Sequence, residues 1–143
     1  MKFSIISLLL LAGNMVFGQA IISQRLEKII NESPESYQNV SLLLSDRFDI
    51  VSLDNQLNAQ RADQKTRVYQ VITNLQEKAA HTQVDIIQFL KNSESVRPES
   101  IKPLWITNII FCTVKSSYIR TIATHPGISV IDLDAELMMV ESK

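Results

Sequence analysis

Two histidines, one cysteine and a scatter of carboxylates are the side chains with chemistry to offer, and their spacing supports little of it. His81 and Asp85 share a helix face if their segment is helical, but two ligands without a third make a weak metal site. His125 precedes Pro126-Gly127 in a turn signal, where a surface role is expected. Cys112 lies inside Ile109-Ile110-Phe111-Cys112 and reads as a small buried hydrophobe, not a reactive thiol. Neither histidine sits in a nucleophile motif, and three glycines leave no phosphate-cradling loop. No catalytic residue, metal or cofactor is expected, so the chain reads as a binder and not an enzyme.

The 143 residues carry 14 Lys+Arg against 15 Asp+Glu, a balance that argues against a nucleic-acid footprint. One cysteine excludes a disulfide framework, and 45% hydrophobic residues suffice for one small core. Residues 1–18 read as an export signal: Met1-Lys2, the apolar run Phe3 to Ala12, then Val16-Phe17-Gly18-Gln19-Ala20. That apolar run is short for a membrane span. Cleavage after Gly18, or as late as Ala20, leaves roughly 125 residues in the secreted or periplasmic space, with no membrane attachment.

Behind the signal, the 19–36 segment is expected to form a leader helix through Ile22, Leu26, Ile29 and Ile30, then a linker at Pro34-Glu35-Ser36. Val40 to Leu44 reads as a strand, followed by the polar, turn-prone Ser45-Asp46-Arg47 and Asp54-Asn55. From about Ala62 to Leu90, Val68, Ile72, Leu75, Ala79, Thr82, Ile86 and Phe89 advance by alternating steps of four and three, which predicts one long helix with a single buried stripe. Ile101 to Ile106 and Ile109 to Val114 read as strands with Thr107-Asn108 between them as a tight turn or bulge. A short helix capped at Ser116 or Ser117 and a strand from Ile128 to Leu133 complete the domain of residues 37–136. Strand, helix, strand, strand, helix, strand is the α+β, ferredoxin-like split β-α-β order. It predicts a four-stranded antiparallel sheet with both helices on one face.

Such a sheet should alternate apolar and polar residues, and the run 109–114 does not. With Ile110, Cys112 and Val114 inward, Ile109, Phe111 and Thr113 face outward beside residues of Leu104-Trp105-Ile106. An outward apolar patch marks a partner site, unless the leader helix folds back over it. The tail 137–143 adds Leu137-Met138-Met139-Val140 with no helix stop. Six extended residues after Asp134 reach roughly 20 Å, enough to enter a neighbour's cleft and bind as an added strand; a frayed end is the plain alternative.

From about Val40 to Val140 the chain resembles the propeptides, and propeptide-like inhibitors, of subtilisin-type serine proteases. The resemblance rests on Thr82-Gln83 with Ile86-Ile87-Gln88-Phe89-Leu90, on Leu104-Trp105-Ile106-Thr107-Asn108-Ile109-Ile110, and on His125-Pro126-Gly127-Ile128-Ser129-Val130-Ile131-Asp132. It implies a domain that assists folding of a cognate protease and then inhibits it, and that is a monomer when free. By position, Trp105, Asn108, Ile109, Phe111 and Thr113 would form the protease-binding face, and Leu137, Met138, Met139 and Val140 would occupy the unprimed subsites. Asp132, Asp134 and Glu136 would supply acidic contacts near helix N-termini of the enzyme.

The resemblance is incomplete in two ways: no catalytic Asp, His and Ser motifs follow, and the leader helix is not part of the family's pattern. A free-standing inhibitor and the N-terminal fragment of a protease precursor both remain open. So does a reading of another class, a secreted structural or dimerisation domain that pairs through Trp105 and Phe111 and has no protease partner.

Overall fold

The computed structural model describes residues 18–134. At its centre lies β2 (Tyr37–Leu44), whose inward side chains Val40, Leu42 and Leu44 have no solvent exposure. It pairs antiparallel on one side with β4 (Ile109–Lys115) and on the other with β5 (Ile128–Leu133). Beyond β4 lies the short edge strand β3 (Lys102–Leu104), and beyond β5 the two-residue β1 (Ile21–Ile22), so the order is β1-β5-β2-β4-β3. The β1–β5 pairing is parallel. The sheet is therefore five-stranded and mixed, not four-stranded and antiparallel as expected. The difference lies at one edge of the sheet: the Ile21-Ile22 pair, expected as the start of the leader helix, extends along Val130-Ile131 before that helix begins.

The helices are α1 (Gln24–Glu32), α2 (Ile50–Ala59), α3 (Gln64–Lys91) and α4 (Ile119–Ile122), the last entered through a 3-10 turn at Ser116–Tyr118. Ile86 and Leu90 from α3, Ile119 and Ile122 from α4, and Leu26 and Ile30 from α1 join the inward strand residues in one buried cluster. Thus α1 sits beside α4, where Arg120 donates to Glu27 (2.8 Å) and to Asn31 (3.0 Å), and does not lie over the outer sheet face. The 34–36 segment is likewise bound in: Ser117 N–H donates to the Pro34 carbonyl and Ser116 N–H to the Ser36 carbonyl, each at 2.8 Å. Residues 19–36 belong to the body of the fold. At the opposite end of the core, a Cβ on Gly127 would lie 3.0 Å from Ile86 Cδ1, a close approach that favours glycine there.

Helix α2 occupies a stretch expected to be turns. Its N-cap is Asp49, whose carboxylate accepts from the Ser52 N–H (3.0 Å) and hydroxyl (2.6 Å), and its buried Leu53 and Leu57 form a ridge at i, i+4. It lies against α3, and Arg67 joins the pair by donating to Asp54 (3.1 Å), Asn58 and the Ala62 carbonyl (3.1 Å). Asp63 caps α3 through the Thr66 N–H at 2.9 Å. The long stripe on α3 is buried only from Ala79 onward: Val68 and Ile72, expected inside, are 52% and 39% exposed.

Candidate functional site

Alternation along the strands sends every second side chain away from the helices, and the ladder pairings align those side chains in rows. Ile21 is opposite Val130, Val130 opposite Leu43, Leu43 opposite Ile109, and Ile109 opposite Leu104. One apolar row thus crosses all five strands. The next row reads Asp132, Ser41, Phe111, Lys102, and beyond it come Asn39 with Thr113 and Tyr37 with Lys115. None of these side chains is buried. Ile21 is 69% and Leu104 38% exposed, whereas Leu43, Ile109, Phe111 and Val130 are half-buried by their neighbours in the sheet.

The face is apolar at one end and polar at the other. At the polar end, the Thr113 hydroxyl donates to Asn39 Oδ1 (2.7 Å), and the Arg97 guanidinium lies 4.4 Å over the Tyr37 ring. Lys115 donates to Glu35 (2.9 Å), and that hydrogen bond holds its ammonium above the usual lysine range. Asp132 lies on the open face 4.0 Å from Arg25, and Asp134 is exposed where β5 ends, its N–H donating to the Asn39 carbonyl.

Of the residues expected on this face, Ile109, Phe111 and Thr113 are there together. Asn108 is not. It is 6% exposed and its amide is turned inward: Nδ2 donates to the Asp46 carbonyl and the Thr82 hydroxyl, each at 2.9 Å, while Oδ1 accepts from Gln83 Nε2 at 3.0 Å. Its backbone adopts φ 52°, in the left-handed region that asparagine tolerates, so it turns the β3–β4 connection and its side chain is bonded within the fold. Trp105 is also off the sheet. It lies half-buried in that connection and lines a cavity of about 200 Å³ with Phe48, Leu75, Lys78 and Ile106. Glu136 and the tail residues Leu137, Met138, Met139 and Val140 lie outside the described residues.

Leu43, Val130, Ile21 and Tyr37 escaped the sequence reading, although Leu43 carried a signal. It sits between the inward Leu42 and Leu44, so strand alternation alone sends it outward. Ile21 and Leu104 could join the row only once the β1–β5 and β3–β4 registers were known.

Of the side chains with chemistry of their own, Cys112 and His125 are held in structural contacts, whereas His81 is exposed on α3. Cys112 is buried on the inner face, and desolvation pushes its thiol pKa up to about 12, so it is inert as a nucleophile near neutral pH. The His125 ring lies 5.0 Å from that of Phe89, and its Nδ1 accepts from Gly127 N–H at 3.1 Å. Among the described residues no group of three or more His, Cys, Asp or Glu could hold a metal ion, and no helix is long and apolar enough to cross a membrane. Comparison of the chain with protein-family models, with curated proteins and with solved structures finds no match.

Proposed function

We propose that the chain is a secreted, propeptide-like module that binds a subtilisin-like serine protease, assisting its folding, inhibiting it, or both. The observation that carries this reading is the apolar row Ile21, Val130, Leu43, Ile109 and Leu104, with Phe111 beside it, on a sheet face that no helix covers among the described residues. The finer fold belongs to the same proposal: without β1, the order β5-β2-β4-β3 with α3 and α4 as crossovers is the ferredoxin-like split β-α-β arrangement. The motifs that resemble subtilisin propeptides occupy this frame, and the open face is the surface such a domain would lay on its enzyme.

Magnitudes divide the work between face and tail. Six partly covered aliphatic or aromatic side chains have roughly 5–9 kcal/mol still to gain from burial. Association itself costs at least about 4 kcal/mol, so the face alone supports weak binding. Tight inhibition then needs the tail, with Leu137 to Val140 in the enzyme's cleft and Asp132, Asp134 and Glu136 beside it.

The test is titration of the exported chain against a subtilisin-like protease, following both peptide hydrolysis and complex formation. Inhibition is expected. Phe111→Asp should weaken complex formation, and deletion of residues 137–143 should abolish the block on hydrolysis while leaving weaker binding through the face. Neither inhibition nor complex formation at micromolar concentration would overturn the reading for that enzyme, and a self-associating chain indifferent to protease would replace it with a dimerisation domain.

A further inference from the structure

We infer that the amino-terminal apolar segment is removed at the Gly18–Gln19 bond and not at Ala20–Ile21. The inference rests on the export reading and adds the bond that is cut. Both bonds follow small residues, so the sequence leaves both open. The fold separates them. Gly18 and Gln19 are exposed, and a side chain at position 18 would meet nothing within 4 Å. Ala20 is 8% exposed, belongs to the buried core cluster, and donates its N–H to the Ala123 carbonyl at 2.8 Å. From there the chain is continuously held: Ile21 and Ile22 pair with Val130 and Ile131, and Ser23 N–H donates to the Ile131 carbonyl at 3.0 Å.

Hydrolysis at 18–19 adds water to the Gly18 carbonyl carbon and breaks its bond to the Gln19 nitrogen. Gly18 departs with the new carboxylate and Gln19 keeps the new amine, which lies in solvent. The same reaction at 20–21 removes Ala20 from the core and takes the hydrogen-bond donor from the Ala123 carbonyl. It also puts a charged ammonium on β1, one residue from Ile22, which packs against the core. The first cut leaves the fold intact, and the second removes part of it.

The experiment expresses the full chain with its own amino terminus in an exporting bacterium and measures the intact mass of the exported product. Alongside it, the melting temperatures of chains beginning at Gln19 and at Ile21 are compared. A product beginning at Gln19 is expected, with the Ile21 chain melting roughly 4–8 °C lower. A product beginning at Ile21, or an Ile21 chain as heat-stable as the Gln19 chain, would overturn the inference. An uncut chain retained in the cytoplasm would instead overturn the export reading beneath it, and cell fractionation distinguishes that failure from the others.

Discussion

Replacing Asn108 by alanine should unfold the domain more readily while leaving the composition of its open face untouched. Two separable costs arise. Alanine at φ 52° carries the left-handed penalty that asparagine largely escapes, about 1–2 kcal/mol. Truncation also removes the acceptor from the Gln83 amide, which is 6% exposed and keeps only a long 3.3 Å bond to the Leu104 carbonyl. An under-satisfied buried donor of this kind costs about 1–3 kcal/mol. The Asp46 carbonyl also loses its partner, but Asp46 is exposed and water can replace the bond. The sum is roughly 2–5 kcal/mol, a large share of the ~5–15 kcal/mol that holds a typical domain.

The assay is chemical denaturation followed by circular dichroism, with thermal melting in parallel, where the same loss lowers the midpoint by roughly 10–20 °C. Asn108→Gly separates the two costs, because glycine adopts positive φ freely but makes none of the side-chain bonds. It should be destabilised, though by about 1 kcal/mol less than Asn108→Ala. If Asn108→Ala loses less than about 1 kcal/mol yet binds protease poorly, Asn108 is a contact residue and its assignment to the interior is mistaken.

Three further outcomes follow from the same geometry. Leu42→Ala, at a side chain with no exposure on the central strand, should cost about 2–5 kcal/mol, whereas Phe111→Asp on the open face should shift the unfolding midpoint little; paired denaturant titrations compare them. The Cys112 thiol, pushed up from 9.0 to about 12 by burial, should resist alkylation at pH 8 in the folded chain and react once denaturant is added. Because its folded pKa is the higher one, its contribution is complete below pH 9 and should fall by about 1.4 kcal/mol per unit as the pH rises from 9 toward 12, read as the difference between wild type and Cys112→Ala. Asp63 accepts from the backbone and hydroxyl of Thr66, which holds its carboxyl below 3.8, so its contribution to α3 should be present above that pH and lost as the pH falls through the depressed value; Asp63→Ala should remove this acid dependence from the helical signal.

Strand alternation and helix stripes were legible wherever a segment's own side chains decide which way it faces. Ile128–Leu133 was read with its observed bounds, and the outward direction of Ile109, Phe111 and Thr113 followed from two-residue periodicity alone. What escaped depended on partners distant in sequence. Ile21-Ile22 became a strand because Val130-Ile131 offered a free edge, although the same residues fit the start of a helical stripe. Asn108 looked like a surface turn residue because asparagine favours such turns, yet the residues that hydrogen-bond its amide, Asp46, Thr82 and Gln83, lie 62, 26 and 25 positions away.

Helix α3 shows most plainly how a correct pattern can mislead about burial. Its apolar stripe is unbroken, and a single stripe was read as a single buried surface. Yet 28 helical residues extend about 42 Å, while the seven residues of β4 extend only about 24 Å. The helix must therefore outrun the sheet by nearly half its length. Its covered half supplies Ala79, Gln83, Ile86 and Leu90 to the interior. Its overhanging half receives α2 along one flank, where Leu53 and Leu57 are buried, and leaves Val68, Tyr69 and Ile72 exposed on another. Periodicity states which face of a helix is apolar, but the length of the opposing layer decides how much of that face is buried, and strand lengths are a property of pairing partners that the helix does not encode.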